Sequence, residues 1–256
     1  MGWFGKIIGG TFGFMLGGPL GLIAGAAFGH MYDASATQYG GAADRQGNPK
    51  INTQEQLQMA FFVAAFSMLA KIVAVDGEVT PAEQKKVDEF IDHDLRLRGE
   101  SREAAGRIFK TAQHAQGTFD QFALQFYQIF RTNRQMLDLL IDIFYRVSYA
   151  DGLLSQAEEA LIQRAGRIFR LSQEYLAAVR SRYSAKGSSA GSYAVLGISS
   201  EAENDEVKKA YRKLVGEYHP DKIAAKGLPE EFTKFANDKF REIQSAYEEI
   251  NKARGM

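Results

Sequence analysis

From Ile7 to Phe28 the chain runs for 22 residues without a charged side chain. As a helix that run is about 33 Å long at 1.5 Å per residue, close to the thickness of a bilayer's hydrocarbon core. Gly5, Gly9, Gly13, Gly17, Gly21, Gly25 and Gly29 recur in and around it at intervals of four. Glycine is a poor helix former in water, but small residues at every fourth position let two membrane helices approach closely. A flexible glycine-rich tail needs neither that regularity nor the Ile, Phe, Leu and Met between. The run predicts a transmembrane helix over 7–29, with Gly9, Gly13, Gly17, Gly21 and Gly25 as a self-association face and a homodimer as the product. Lys6, the apolar stretch and Ala24-Gly25-Ala26 also imitate the three regions of a cleaved signal peptide, although the stretch is overlong for one. Charge leaves the orientation open, since Lys6 precedes the segment while His30, Asp33, Arg45 and Lys50 follow it.

The rest of the chain reads as helices. Residues 30–51 are polar and rich in Gly, Ala and Gln, the composition of a juxtamembrane tether. From Asn52 to Tyr183 there is little proline and no strand-like alternation. Ala60 to Val75 is apolar almost all round, so it predicts a central helix buried by its neighbours. Helical periodicity over 81–95, 102–113, 119–130, 136–150, 157–169 and 173–183 supplies those neighbours and enough apolar material for one core. Ser184 to Ser192 is a short Ser/Gly linker with an r.m.s. reach of about 15 to 20 Å, which predicts that whatever follows swivels beside this domain.

The middle domain carries a weak internal duplication. Asp76-Gly77 and Asp151-Gly152 are each followed at matching spacing by a hydrophobic residue, Thr80 or Ser155, and Glu83 or Glu158. Asp76, Glu83, Asp151 and Glu158 form a candidate carboxylate cluster for a hard divalent cation. The same residues also spell turn chemistry: Thr80-x-x-Glu83 and Ser155-x-x-Glu158 are capping boxes, Pro81 stands at a first helical position, and Asp-Gly supplies each turn. The capping reading is preferred, because Glu78 of one copy is Leu153 in the other and a symmetric ligand set is incomplete. No metal is assigned.

Near the C-terminus, Val207, Ala210, Tyr211, Leu214, Val215 and Tyr218 recur as one buried helical stripe. Lys208, Lys209, Arg212 and Lys213 occupy the other faces with no acid among them. Pro220 lacks an N–H and biases His219 away from helix, so this helix ends close to Tyr218. Pro229 then has the φ suited to a first helical position, with Glu230 and Glu231 at the positive end of the dipole. Phe232, Phe235, Ala236, Phe240, Ile243, Tyr247 and Ile250 continue at helical spacing. Two antiparallel helices presenting a His219-Pro220-Asp221 loop result.

Residues Ser192 to about Arg254 resemble a J domain, the module by which DnaJ-type co-chaperones engage DnaK-type chaperones. The resemblance rests on Tyr193, Leu196-Gly197, Lys208-Lys209-Ala210-Tyr211-Arg212-Lys213-Leu214, the His219-Pro220-Asp221 loop, Lys239-Phe240-Arg241-Glu242-Ile243 and Ala246-Tyr247. The duplicated Asp-Gly loops are similar to those of the TerB-type helical fold, named for tellurite resistance. The order of segments resembles the membrane-anchored DnaJ-like co-chaperones. The expected fold is all-α: an extracytoplasmic stretch 1–6, a transmembrane helix 7–29, a tether 30–51, a TerB-like helical bundle 52–183, a linker 184–191 and a J domain 192–256 with an antiparallel helical hairpin.

What the resemblance implies is stimulation of a DnaK-type ATPase through His219, Pro220 and Asp221, with Lys208, Lys209, Arg212 and Lys213 meeting an acidic groove. It further implies a single-pass protein of the bacterial inner membrane with its C-terminal domains in the cytoplasm. There is no Gly/Phe-rich segment and no cysteine-rich zinc region, so clients are expected to be selected by location. The alternative is a metal- or stress-responsive membrane sensor whose TerB-like domain binds a divalent cation and whose J domain recruits chaperone. The net charge is zero, which gives no chain-wide field for nucleic acid, and no cysteine is present. With no Walker loop, dinucleotide fingerprint or nucleophile elbow, the chain is expected to be no enzyme and to need no cofactor.

Overall fold

The computed structural model describes residues 16–35, 53–184, 191–219, 222 and 228–255, and among these it is helical without a strand. The described residues form eleven α-helices, the third continued by a π-helical turn. They are α1 (Gly18–Ser35), α2 (Thr53–Val73), α3 (Pro81–Glu89, then Phe90–Asp94 in the π turn), α4 (Gly99–His114), α5 (Phe119–Phe130), α6 (Arg134–Ser148), α7 (Gln156–Ile168), α8 (Gln173–Ser184), α9 (Gly191–Leu196), α10 (Asn204–Tyr218) and α11 (Glu230–Arg254).

Helix α2 is the expected central helix. Met59 to Ala70 are buried without a gap, because a helix that is apolar all round can lower its free energy only by being surrounded. By length and composition it is also the one described helix apolar enough to cross a membrane, yet 78% of that apolar window is buried by neighbouring helices. The neighbours are α1, α4 and α5 along its length, and α6 and α7 nearby. Phe61 stands edge-on to Phe126 and Phe130 at 5.7 and 5.9 Å between centroids.

Both expected capping boxes form. Thr80 N–H donates to Glu83 Oε2 at 2.8 Å while Glu83 N–H donates to Thr80 Oγ1 at 3.3 Å. Ser155 and Glu158 repeat the exchange at 2.9 and 3.1 Å. A third box, Thr118 with Gln121, opens α5.

Helix α1 covers the bundle with Leu20, Ile23, Ala24, Ala27 and Phe28, which recur at helical spacing and are buried against α2, α4 and α5. The apolar run is divided at Gly17 and Gly18, both left-handed with φ of 57° and 55°. Gln125 of α5 bridges the break: its amide donates to the carbonyls of Leu16 and Gly17 at 3.0 and 2.9 Å, and its Oε1 accepts from Leu20 N–H at 3.0 Å. A Cβ on Gly18 would stand 2.9 Å from that Oε1, so a side chain there would displace the Gln125 amide in addition to straining the left-handed backbone.

The C-terminal hairpin pairs α10 with α11, and α9 packs across both. Tyr211 stacks on Tyr247 at 3.9 Å with the rings 4° from parallel. Arg254 closes the unit by donating to Tyr193 Oη at 2.8 Å and to the carbonyls of Ala202 and Ser200 at 2.6 and 2.7 Å. Pro229 proves to be the N-cap of α11 rather than its first helical residue: its ψ of 144° is extended, and the helix begins at Glu230.

This hairpin does not hang free of the middle domain, as the Ser/Gly linker alone suggests. Phe232 is fully buried among Phe61, Phe62 and Phe66 of α2, at 4.9, 6.0 and 6.1 Å between centroids. Phe235 meets Phe90 at 5.8 Å. Burying such aromatic surface is worth several kcal/mol, at ~25 cal/mol per Å² over roughly 150–250 Å² per ring, more than enough to offset a short tether's freedom.

Candidate functional site

Helix α10 presents the basic face as expected. Lys209, Arg212 and Lys213 are exposed and Lys208 is half-buried, while Val207, Leu214 and Tyr218 are buried. Tyr211, Ala210 and Val215 lie at the margin of the core rather than inside it. Glu206 reaches back to the N–H of Glu203 at 3.1 Å to cap the helix start.

The helix ends where Pro220 dictates. His219 is its C-cap, with φ −61° and ψ 125°, the extended geometry required of a residue before proline. The ring of His219 is half-buried and lies edge-on to Phe240 of α11 at 5.9 Å. Its carbonyl accepts from Lys222 N–H at 3.1 Å. Pro220 and Asp221 lie outside the described residues.

Both flanks of this loop are held by the middle domain, which periodicity does not reveal. On the upstream side Tyr218 Oη accepts from Arg182 Nη1 of α8 at 3.4 Å, and Arg182 is paired with Asp142 of α6 at 3.6 Å in a site closed to solvent. Gln135 donates to the Gly216 carbonyl at 3.3 Å, and Lys213 lies over the Tyr175 ring at 5.2 Å. Downstream, Gln58 donates to the Leu228 carbonyl at 3.4 Å. Lys239 of α11 sits over the Tyr183 ring at 4.6 Å, and Arg96 pairs with Asp238 at 2.9 Å. Gly197, φ 68°, marks a close approach of α9 to α8, since a Cβ there would meet the Ala178 carbonyl at 3.1 Å.

Burial pushes the Glu217 carboxyl up to about 7, and the neighbouring Asp138 pushes it the same way against Arg182, Lys213 and Arg134. An exposed glutamate titrates near 4.3. The docked hairpin therefore holds a proton that the undocked one releases, and docking is strongest below about 4.5 and weakens as pH rises through 7. The groups facing Glu217 are Asp138 and Arg134 of α6, Tyr175 and Arg182 of α8, and Lys213 and Tyr218 of its own helix. The expected result is a higher urea midpoint for the hairpin at pH 6 than at pH 8, and loss of most of that difference in Glu217→Gln. An equal pH dependence in the variant assigns the effect elsewhere.

Of the glycines expected to form a self-association face, Gly9 and Gly13 lie outside the described residues. Gly17 is exposed at the break, Gly21 is buried and Gly25 half-buried. Three of the four carboxylates of the duplicated loops have partners close by, and Asp76 is exposed. Glu83 and Glu158 are held in their capping boxes, and Asp151 accepts from Leu153 N–H at 3.2 Å and pairs with Lys86 of α3 at 3.0 Å. That ion pair ties one copy of the duplication to the other. No group of three or more His, Asp or Glu converges anywhere among the described residues.

Three families match the chain in order. The co-chaperone DjlA transmembrane domain matches residues 1–46, tellurite resistance protein TerB matches 62–181, and the DnaJ domain matches 191–254. Relatives named co-chaperone protein DjlA are similar over nearly the whole length. That of Vibrio vulnificus is 34% identical over 99% of each chain, and that of Photobacterium profundum 32% over 99% of each. The protein of Shewanella oneidensis is 30% identical over 89% of each. No solved structure matches.

Proposed function

Since the chain belongs to the DjlA family of membrane co-chaperones, we propose that it stimulates ATP hydrolysis by a DnaK-type chaperone and localises that chaperone at the bacterial inner membrane. The observation that carries this reading is the exposed cation pair Lys209 and Arg212 on α10, leading to His219 at its C-cap. In this reading Lys208, Lys209, Arg212 and Lys213 meet an acidic groove and His219, Pro220 and Asp221 enter it. The chain supplies no phosphate-binding loop, so the hydrolysis belongs to the partner.

The test is charge reversal. Lys209→Glu with Arg212→Glu should lower stimulation about tenfold at low salt and flatten its salt dependence, because exposed charges act mainly on the association rate. Unchanged stimulation by the folded variant removes the basic face from the mechanism.

The segment 7–29 is proposed as the single span, with residues 1–6 outside, the tether 30–51, the domain 52–183, the linker 184–191 and the J domain 192–256 in the cytoplasm, where an ATP-driven chaperone is available. Spanning exchanges the contacts of α1 with α2, α4 and α5 for lipid. Self-association through the glycine face is part of the same proposal. Gly17 is a poor probe because its positive φ strains any replacement. Gly21→Leu with Gly25→Leu blocks close approach without shortening the apolar run. Crosslinking in vesicles should show a dimer for the native chain and a monomer for the variant, both membrane-bound; a native monomer discards the dimer.

A further inference from the structure

The middle domain holds the hairpin by the two ends of its docking loop. Tyr218, Gly216 and Lys213 are engaged just upstream of His219, and Leu228, Phe232 and Phe235 just downstream. Nothing in the hairpin's own packing requires this. Its internal core is closed by the Tyr211–Tyr247 stack and by Arg254, on the side away from the loop. The aromatic residues flanking the loop are instead buried in a second domain, in the manner of interface anchors.

We propose that the face formed by α2, α6 and α8 is a built-in competitor for the J domain's chaperone-binding end, so that this structure is a closed state of the co-chaperone. The proposal rests on the reading of α10 and His219 as the chaperone-docking element. A chaperone that takes up His219 and the residues after it needs the same end of α10, together with Lys213, that the middle domain already contacts. Lys209 and Arg212 remain exposed in the closed state, so an acidic partner is steered to the hairpin before it displaces the middle domain. A tethered competitor acts at an effective concentration in the millimolar range, which a free partner must overcome.

Absence of cysteine from the native sequence makes the test clean. Arg96 and Asp238 face each other across the interface with exposed side chains, 56% and 39% accessible. The full chain in lipid nanodiscs, carrying Arg96→Cys and Asp238→Cys, is treated with a short bis-maleimide. The expected results are rapid intramolecular bridging and a fall of about tenfold or more in stimulation of a DnaK-type ATPase, relative to the same variant left unbridged. Bridged protein that stimulates normally overturns the competition. Failure to bridge, when each thiol reacts with a monofunctional maleimide, overturns the closed state. If the unbridged variant and the native chain both fail to stimulate, the co-chaperone reading of α10 falls and the competition falls with it, whereas a competition failure alone leaves the unbridged protein active.

Discussion

His219→Gln is expected to reduce stimulation of a DnaK-type ATPase about thirtyfold, the effect of losing one interface hot spot worth ~2 kcal/mol. The variant keeps the fold. His219 caps α10 with an extended backbone that the following proline imposes, and glutamine adopts that geometry equally well. The edge-on contact of His219 with Phe240 at 5.9 Å is an aromatic pair worth about 0.5–1.5 kcal/mol. Circular dichroism and urea unfolding of the full chain should therefore be almost unchanged while the steady-state ATPase signal collapses. A folded His219→Gln protein with native stimulation leaves the loop without its assigned role.

Local chemistry was legible in the sequence wherever one segment decides its own conformation. The capping boxes at Thr80 and Ser155, the end of α10 before Pro220 and the all-round apolar α2 need only neighbours within a few residues, and each is found where spacing put it. The interface between the two domains has no such signature. Phe232 and Phe235 belong to the stripe that predicts α11, and a period cannot say whether a position faces the partner helix or a second domain. Their partners Phe61 and Phe90 are far away in sequence, and Arg182, which pins Tyr218, looks like one more polar residue at a helix end. The Ser/Gly linker pointed the other way, because composition reports the tether's freedom and not the surface it brings together. The break at Gly17 was hidden for a related reason. Seven evenly spaced glycines fit a continuous helix, and the side chain of Gln125, more than a hundred residues away, meets the chain where one of them, Gly17, and its neighbour Gly18 turn left-handed.

The largest stability effect is expected at Arg182. Its side chain is 9% exposed and its partner Asp142 is fully buried, so Arg182→Ala strands a carboxylate where water cannot reach it. Breaking a buried pair from one side costs about 3–5 kcal/mol, whereas replacing both members by neutral groups of similar size is often nearly neutral. Asp142→Asn combined with Arg182→Met should accordingly lie within about 1–2 kcal/mol of the native chain, and urea unfolding of the two variants separates these cases. Equal stabilities would mean that Asp142 finds other compensation. The same residue links stability to function, since Arg182 also donates to Tyr218 beside the docking loop. The double variant keeps the bundle but removes that donor. If the middle domain competes for the end of α10, it should stimulate a DnaK-type ATPase more strongly than the native chain, although the substitution lies in the middle domain and leaves the J domain's own sequence untouched.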